Sequence, residues 1–470
     1  MKRKELLYRC SAVVLTLFLG IFFLAAGAYG AGPKYVILLF ADGTGLAQME
    51  LGRMANRYLY NEEFTVTDRI FREGALGLLT TQSANYLVTD SAAAGTAMAT
   101  GHKTKNGMVG VTPEGMPVKS ALEVAQETGR RVGIVTTDTV TDATPAAFAA
   151  HVKSRKLHPQ IAEQYVAKNL DLMLGGGRAY FLPQSAEGSK RKDDKDLLAA
   201  LKAKGYAYVT NLKELKEVQG TKVIGLFADK ALPLELDRDR STVPSIYEMT
   251  DAALKILSRD NSPGFFVLLE TENTDTASHR NDISDLLAEL RVFDRAVRLA
   301  YDFYKAHPDE TLVLVAGDHD TGGPGMTYVK ESLSGGKTVY PTVENLRVAT
   351  RFSISLNKAK KLLGKNPSDK KIDEVMAKYF PGVTLSPQQR EAIKTGKLYA
   401  RNFYNLPQNA IGGAISELTQ IYWASRGHTQ QPVYVGAIGV GAERFRGYMD
   451  NTEFGRILIE LLSEPPMAKR

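Results

Sequence analysis

The chain has 470 residues, of which 44% are hydrophobic and 24% are charged, and its formal net charge is +7. This composition is typical of a globular protein with a large core, and it excludes collagen, a disordered chain and a multi-span membrane protein. The single cysteine, Cys10, excludes a disulfide framework and a zinc site built on thiolates. The surplus positive charge is diffuse, so it does not by itself indicate a nucleic-acid partner.

The first thirty residues are predicted to be an export signal. They begin with four basic residues against one acidic residue, and an uncharged stretch then runs from 10 to 33. An apolar run over 12–26 ends in small residues, which suit cleavage near Ala28 or Gly30 and export to the periplasm or the cell exterior. The alternative is an uncleaved membrane anchor, because the stretch approaches the roughly 20 residues that a spanning helix needs.

Apolar, β-branched runs alternate with helical patterns along the rest of the chain. The predicted strands cover residues 35–40, 132–137, 265–269, 311–316 and 433–440. Helices are predicted over 120–128 and 245–257, and a last one is predicted to begin at the capping pair Asp450 and Glu453. This order predicts an α/β fold, in which a large, mainly parallel central sheet carries helices on both faces as a three-layer sandwich.

One segment departs from this alternation. From about 327 to 422 the strand pattern disappears, and helix-start signals appear at Ser368 and at Ser386 before Pro387. We predict a helical, crown-like insertion at one end of the core. The organisation predicted for the chain is therefore a signal over 1–30 and one domain over 31–470, with an insertion at about 327–422.

Acidic residues and histidines lie where the predicted strands begin or end. They are Asp42, Glu270, Asp275, His279, Asp318, His319 and His428. The carboxyl ends of parallel strands meet at one edge of a sheet, which is where α/β proteins bind ligands. A single acid at a strand end is more often a helix cap or a turn residue, but seven such residues together favour a functional site.

Two groups of these residues have the chemistry of metal ligands. Asp275 and His279 are four residues apart, so they share one face of a helical turn, and His428 would complete a three-ligand zinc site with an open position. A second ion could be held in the same way by Asp42, Asp318 and His319. Two ions about 3.5 to 4 Å apart stabilise the attacking and leaving oxygens of a phosphoryl displacement. Spacing alone does not establish that proximity.

The candidate nucleophile is Ser91. Asp90 can cap a helix, the alanine-rich segment that follows favours one, and Gly101 can end it, so the segment alone is most simply a capped helix. The functional interpretation places Ser91 at the positive end of the helix dipole, where a neighbouring metal could bind its alkoxide and backbone N–H groups could face a phosphate.

A second helix start lies at residues 142–145. We predict Thr144 as the N-cap and Pro145 as the first helical residue, with Arg155 ten residues further on. The simple interpretation is a cap and a surface arginine. The functional one gives the Thr144 hydroxyl to an oxygen-binding ion such as magnesium and uses the Arg155 guanidinium to bind two phosphate oxygens.

These motifs, in this order, resemble the alkaline phosphatase family. They are Asp42-Gly43-Thr44-Gly45, Asp90-Ser91-Ala92, Asp142-Ala143-Thr144-Pro145 with Arg155, Glu270 with Asp275 and His279, Asp318-His319, and His428-Thr429. The resemblance runs from about Lys34 to the last helix. It implies hydrolysis of small phosphate monoesters to an alcohol and inorganic phosphate through a phosphoserine at Ser91.

The resemblance also implies roles for the other site residues. Arg155 would bind the phosphate and Asp90 would orient Arg155. Zinc would be held by Asp275, His279 and His428, and a second zinc by Asp42, Asp318 and His319 beside Ser91. Magnesium would be held by Asp42, Thr144 and Glu270, with Asp142 ordering its water shell. Relatives with such an insertion also lead us to expect a homodimer.

The chain departs from the family pattern at Thr276, where many members carry lysine or histidine. The loss of a cation there puts phosphate affinity, pH optimum and magnesium occupancy in question. The nearby Glu272 is predicted to be a solvated loop residue. The remaining histidines, His102, His151, His158 and His307, fit no metal-ligand spacing and are predicted to be structural.

Three other functions compete with this prediction. A related enzyme that acts on phosphodiesters or sulfate esters is the nearest, but Arg155 and the Asp90-Ser91 pair favour monoesters, and the usual route to the modified residue of a sulfatase needs a cysteine. A metal- or phosphate-binding protein without catalysis would lack the nucleophile or a ligand. A nucleic-acid binder would carry a basic stripe with interleaved aromatic residues, which the sequence lacks.

Overall fold

The computed structural model describes residues 32–260, 263–330, 336–396 and 407–466. The export signal predicted over 1–30 lies outside the described residues, and so does the choice between cleavage and anchoring. Across the described ranges, no helix combines the length and apolar character that crossing a membrane would require.

Of the strands in the described residues, ten build one large sheet and the other six are short. The strands are β1 (Tyr35–Ala41), β2 (Ala75–Thr80), β3 (Arg131–Thr139), β4 (Leu172–Gly176), β5 (Ala207–Val209), β6 (Val223–Leu226), β7 (Phe265–Thr271), β8 (Thr311–Ala316), β9 (Asp320–Thr321), β10 (Pro324–Met326), β11 (Val329–Lys330), β12 (Thr338–Val339), β13 (Ile421–Trp423), β14 (His428–Thr429), β15 (Val433–Gly439) and β16 (Gly447–Asp450).

Helices connect most of the strands. The α-helices are α1 (Leu46–Ala55), α2 (Ser91–Thr100), α3 (Ala121–Glu127), α4 (Ala143–Ala149), α5 (His158–Lys168), α6 (Leu197–Ala203), α7 (Leu212–Glu217), α8 (Ile246–Ser258), α9 (Asn273–His279), α10 (Ile283–Ala306), α11 (Val343–Val348), α12 (Leu356–Leu363), α13 (Asp369–Tyr379), α14 (Pro387–Thr395), α15 (Pro407–Thr419) and α16 (Asn451–Ser463). Short π-helices cover Asn56–Tyr60 and Val66–Phe71, and 3-10 turns cover Arg178–Tyr180, Ala349–Arg351 and Ala442–Phe445.

The large sheet has the strand order β16-β2-β15-β8-β1-β7-β3-β4-β6-β5. β15 pairs antiparallel with both β2 and β8, whereas the other neighbours in the large sheet pair parallel. Each of the five predicted strands is present, as β1, β3, β7, β8 and β15. The predicted α/β fold with a mainly parallel sheet is therefore confirmed.

The central strand β1 shows why helices cover both faces. Its side chains alternate between two cores: Val36, Leu38 and Phe40 pack with one set of helices, and Ile37 and Leu39 pack with the other. The first set is α2 to α6 with α16, and the second includes α1, α8 and α10. Every residue of β1 is buried, which is the pattern of a strand covered on both faces.

The segment predicted as an insertion is mainly helical in its described part, with α11 to α15 around a third core that also includes residues of α1, α9 and α10. The prediction that it has no strands is wrong, because the short strands β11, β12 and β13 lie there. β13, at the end of the insertion, pairs with β10, which lies just before it, so backbone hydrogen bonds join the two ends of the insertion. Its definition as a separate crown stays a prediction.

Candidate active site

The sheet topology gathers the predicted site residues at one edge. The strands β8, β1, β7 and β3 are consecutive neighbours in the sheet and run in the same direction. Their carboxyl ends lead to Asp318 and His319, Asp42, Glu270 and Asp142, respectively. β15 runs the other way, so its beginning lies at the same edge, and β14 just before it pairs with β9 to place His428 opposite Thr321.

A first group of ligand atoms comes from α9 and β14. Asp275 Oδ2 lies 3.1 Å from His279 Nε2, Asp275 Oδ1 lies 3.7 Å from His428 Nε2, and the two Nε2 atoms are 3.2 Å apart. On each ring, Nδ1 faces a backbone carbonyl, at 2.5 Å from Arg426 for His279 and 2.8 Å from Thr89 for His428. Nδ1–H donation to these carbonyls leaves both Nε2 atoms free to bind a metal ion.

A second group surrounds His319 Nε2. Ser91 Oγ lies 3.1 Å from this nitrogen, Asp318 Oδ2 lies 3.3 Å from it, and Asp42 Oδ1 lies 3.4 Å from it. Ligand atoms of Asp42, Asp275 and His319 lie within 4.8 Å of one another, as do those of Asp275, His279 and His428. The structure thus brings together the residues predicted for the first ion. Around His319, however, the set of mutually close ligand atoms contains Asp275 in place of the predicted Asp318, so Asp275 belongs to both sets.

Of the residues predicted for magnesium, Thr144 contacts Asp42, and Glu270 lies near enough for its charge to raise the pKa of Asp42. Thr144 Oγ1 donates to Asp42 Oδ2 at 3.3 Å, and Thr136 Oγ1 donates to Glu270 Oε2 at 2.5 Å. The prediction that Thr144 caps α4 is wrong, because Asp142 holds the N-cap position and Thr144 is the second helical residue. That position turns the Thr144 hydroxyl toward Asp42.

Three buried carboxylate oxygens at the site have no hydrogen-bond partner among the described residues. They belong to Asp42 (Oδ1), Glu270 (Oε1) and Asp318 (Oδ2). Each carboxylate is at most 1% exposed, so bulk solvent does not reach these oxygens. An oxygen left in this way is costly to bury unless a cation faces it, and hard divalent ions prefer such oxygens. The donor set therefore fits bound metal ions.

Burial and mutual repulsion raise the pKa of most of these carboxyls. Burial raises the pKa of Asp42 well above its ordinary value, and the charges of Asp318 and Asp275 add to the rise. Burial raises the pKa of Glu270 to about 8 despite the Thr136 hydrogen bond, and that of Asp318 to about 8 despite the Gly43 N–H. Positive charge at the site would be needed to keep all three ionised near neutral pH.

The imidazoles have the opposite influence on Asp275. Burial would raise the pKa of this carboxyl, but His279 and His428 hold it well below its ordinary value. Burial lowers the pKa of His319 and of His428, so both rings are neutral near neutral pH, whereas Asp275 raises the pKa of His279 despite its burial. A neutral imidazole is the form that binds a metal ion.

Ser91 is the first residue of α2, a helix in which all ten residues are buried. Asp90 is its N-cap: its Oδ1 accepts the Ala93 N–H at 3.0 Å, and its Oδ2 lies 3.5 Å from Arg155 Nη1. Arg155 Nη2 lies 2.9 Å from Asp142 Oδ2. Burial would lower the pKa of the guanidinium, but Asp142 and Asp90 raise it, so Arg155 stays charged beside the serine.

Gly43 permits the close approach of Asp42 and Asp275. Its φ is +65°, and a Cβ there would lie 2.4 Å from Asp275 Oδ1. A larger residue would therefore push α9 away from the end of β1. This steric limit gives a physical reason for the glycine directly after Asp42.

Sequence motifs did not reveal the contacts of two residues at the site, Thr321 and Glu272. Thr321 Oγ1 donates to Asp275 Oδ1 at 2.5 Å and lies 3.3 Å from His319 Nδ1, so it contacts both groups of ligands. The prediction that Glu272 is a solvated loop residue is wrong. It is the N-cap of α9, is half-buried, and accepts a hydrogen bond from Thr276 Oγ1 at 3.0 Å. Burial raises the pKa of its carboxyl well above the ordinary value, with Asp138 contributing.

The other histidines lie outside both groups of ligands. His151 Nε2 lies 2.9 Å from Glu123 Oε1, and His158 stacks on Tyr180 with ring centroids 4.5 Å apart. His102 Nδ1 lies 2.8 Å from the Thr100 carbonyl, and His307 lies against Phe303. These contacts agree with the structural roles predicted for the four residues.

A parallel sheet whose carboxyl edge gathers carboxylates, imidazoles and a serine at a helix start has the architecture of a metal-dependent hydrolase. The family model described as alkaline phosphatase matches residues 33–463, and the chain belongs to this family of phosphomonoester hydrolases.

Curated relatives and solved structures agree with this assignment. Alkaline phosphatase 4 of Bacillus subtilis is 34% identical over 448 residues, covering 91% of this chain and 88% of the relative. The alkaline phosphatase of Schizosaccharomyces pombe is 32% identical over 444 residues, covering 91% and 80%. The crystal structure of Thermus thermophilus alkaline phosphatase superimposes with a TM-score of 0.82 at 30% identity, covering 93% of this chain and 94% of that one.

A further solved structure of a similar protein contains a bound metal ion. It is a variant of the alkaline phosphatase from the Antarctic bacterium TAB5 with Mg bound in the M3 site, at 27% identity and a TM-score of 0.66, covering 92% of this chain and 99% of that one.

Proposed function

We propose that this protein hydrolyses phosphate monoesters by a double displacement in which Ser91 Oγ is the nucleophile. The observation that carries the proposal is the position of Ser91 Oγ, 3.1 Å from His319 Nε2 at the start of a buried helix. Asp42 and Asp318 oxygens lie within 3.4 Å of the same nitrogen. A serine hydroxyl is a weak nucleophile at neutral pH, and the nearby imidazole and carboxylates support its activation.

Arg155 is proposed to bind the substrate phosphate. Its guanidinium is held by two carboxylates, Asp142 at 2.9 Å and Asp90 at 3.5 Å, so its planar face is oriented before substrate arrives. Asp90 is also the N-cap of the helix that begins with Ser91. Arg155 and Ser91 are therefore held relative to each other, which supports their action on one phosphoryl group.

Ser91 Oγ is proposed to attack the phosphorus atom while the bond from phosphorus to the substrate oxygen breaks. The proton lost by Ser91 balances the one that the leaving oxygen gains, so the substrate departs as an alcohol. The positive end of the α2 dipole and the guanidinium of Arg155 then face the negative charge that develops on the phosphoryl oxygens. In the second displacement, water attacks the phosphoserine and releases inorganic phosphate, and Ser91 regains its proton. The neutral His319 ring lies beside Ser91 Oγ.

We infer that the ligand groups hold two zinc ions and one magnesium ion. Asp275, His279 and His428 would hold one zinc ion; Asp42, Asp318 and His319, beside Ser91, would hold the other; and Asp42, Thr144 and Glu270 would hold magnesium. When bound, such ions lower the pKa of a hydroxyl or a water and stabilise the entering and leaving oxygens. The buried oxygens of Asp42, Glu270 and Asp318, which have no hydrogen-bond partner in the described part of the chain, support this assignment.

Asp142 has two proposed roles. Its Oδ2 binds Arg155, and its other oxygen remains for the water shell of magnesium. One carboxylate would thus contact both the phosphate-binding guanidinium and the water shell of magnesium. Phosphate binding and magnesium occupancy are therefore expected to depend on each other.

A substrate comparison tests the proposed function. The protein is dialysed against a chelator, and hydrolysis of a chromogenic phosphomonoester, a phosphodiester and a sulfate ester is then measured at alkaline pH, before and after addition of zinc and magnesium. We expect hydrolysis of the monoester to disappear on chelation and to return with both metals. A preference for the diester or the sulfate ester would instead assign the protein to a related activity.

Thr276→Lys is expected to tighten inhibition by inorganic phosphate several-fold, because an ammonium group would lie near the proposed phosphate and magnesium positions. In this chain the Thr276 hydroxyl binds Glu272, so the lysine would also reduce the negative charge there. Inhibition constants of phosphate measure the effect. Thr276→Met is the control for side-chain length, and an equal inhibition constant in the two variants would contradict the electrostatic explanation.

We also infer that the protein is exported and forms a homodimer, with phosphomonoesters as substrates and no nucleic-acid partner. The basic and apolar pattern of residues 1–30 supports export. Family resemblance supports the dimer, and the exposed apolar side chains Tyr86, Leu87 and Met116, at 62%, 81% and 65% exposure, offer surface that an interface could cover. N-terminal sequencing of secreted protein and sedimentation analysis test these two points.

A further inference from the structure

Asn106 lies in a turn outside the predicted catalytic motifs and contacts the segment that leads to Ser91. Its Oδ1 accepts the Asp90 N–H at 3.2 Å, and its Nδ2 donates to the Val88 carbonyl at 3.1 Å. One carboxamide therefore binds the peptide groups on both sides of Thr89. This arrangement fixes the backbone directly before the nucleophile.

The peptide between Thr89 and Asp90 has a second contact. Its N–H donates to Asn106, and its carbonyl faces His428 Nδ1 at 2.8 Å. That carbonyl sets the tautomer and the direction of the imidazole whose Nε2 lies in the first ligand group. Asn106 thus contacts the peptide that orients a proposed metal ligand.

The next residue, Gly107, connects the same turn to Arg155. The Gly107 N–H donates to Asp90 Oδ2 at 2.9 Å, and the Gly107 carbonyl accepts the backbone N–H of Arg155 at 2.7 Å. Since Arg155 Nη1 lies 3.5 Å from the same Asp90 oxygen, Asp90, Gly107 and Arg155 form a closed ring of polar contacts. The φ of Gly107 is +86°, a conformation that glycine adopts readily.

We propose that Asn106 is a positioning residue that fixes the relative positions of Ser91, Arg155 and His428. This inference rests on the proposed function of these three residues. Asn106 acts through the Thr89–Asp90 peptide and, with Gly107, through the Asp90 carboxylate. Catalysis of phosphoryl transfer depends on the relative placement of the nucleophile and the phosphate-binding group, and small displacements are costly. The turn would supply this placement from outside the reacting atoms.

Asn106→Ala tests the proposal in the full-length, metal-loaded protein. We expect kcat/KM for a phosphomonoester to fall roughly tenfold and the affinity for inorganic phosphate, measured by calorimetry, to fall by a similar factor. The matched control is Asn211→Ala. The Asn211 side chain also accepts a backbone N–H, from Glu214 at 3.0 Å, but it caps α7 near the edge strand β5, away from the site. Equal kinetics and phosphate affinity in the two variants would overturn the proposal.

A double-mutant cycle tests whether Asn106 acts through Arg155. In an Arg155→Ala background, Asn106→Ala is expected to lower phosphate affinity less than in the natural chain, because the group that it positions is absent. An undiminished effect would overturn the proposed route. Ser91→Ala separates this inference from the proposed function: full activity of that variant would reject the function, whereas an inactive Ser91→Ala with a neutral Asn106→Ala would reject only the role of Asn106.

Discussion

Replacement of Ser91 by alanine is expected to lower kcat for a phosphomonoester by about three orders of magnitude with a much smaller change in KM. Ser91 Oγ is the proposed nucleophile, whereas Arg155 and the ligand groups, which bind the phosphate and the metals, remain in place. Alanine is also the strongest helix former and fits the first position of the buried helix α2. The measurement is steady-state kinetics together with detection of the phosphoserine.

The control for this variant is Ser258→Ala. Ser258 Oγ donates to the Leu254 carbonyl within α8, on the side of the sheet opposite α2, so its loss is expected to leave kcat unchanged. We expect Ser91→Ala to retain its metals and its folded structure, which separates loss of the nucleophile from loss of the site. More than half of the natural activity in Ser91→Ala would contradict the proposed mechanism.

Removal of the metals is expected to make stability strongly dependent on pH. Burial raises the pKa of Glu270 and of Asp318 to about 8 in the metal-free fold, whereas their ordinary values are 4.5 and 3.8. At pH values between the ordinary and the raised pKa, the folded state binds more protons than the unfolded state. The free energy of unfolding therefore falls as pH rises. The stabilisation by the protonated carboxyls is complete below about pH 4 and is lost by about pH 8.

Urea denaturation at a series of pH values measures this effect. We expect the metal-free protein to lose several kcal/mol of stability between acidic and alkaline pH, and the metal-loaded protein to lose much less over the same range, because the bound cations stabilise the ionised carboxylates. Glu270→Gln should reduce the slope of the metal-free protein, whereas the exposed Glu114→Gln should not. A metal-free protein with a flat profile would show that burial of these carboxyls is not costly.

Several features of the fold were predictable from local sequence because their causes are local. The buried β1 is a continuous apolar run followed by Asp42 and glycine, and α16 begins at the predicted cap Asp450. The i, i+4 spacing of Asp275 and His279 requires only one helical turn, which α9 provides. In each case neighbouring residues determine the backbone, so the pattern is readable without knowledge of distant contacts.

Other features depend on contacts between distant parts of the chain. Ser91 and His319 are 228 positions apart, and their approach requires α2 to pack in the same core as alternate residues of β1 and β8. The burial of Glu272 follows from its place at the start of α9, although its sequence context resembles a loop. The contact of Asn106 with the Thr89–Asp90 peptide has no sequence signature, since asparagine before glycine is ordinarily just a turn.

The sequence by itself determined the family, the mainly parallel α/β sheet and the residue types available for phosphate and metal chemistry, because these follow from local periodicity and from motifs in a fixed order. Only the tertiary structure decided which atoms meet: that Asp275 faces both ligand groups and that Thr321 bonds to Asp275. It also decided that Asp42, Glu270 and Asp318 are buried, each with an oxygen that no described residue hydrogen-bonds. The physical reason is that desolvation and proximity, which set the charge requirement of the site, arise only when distant segments pack together.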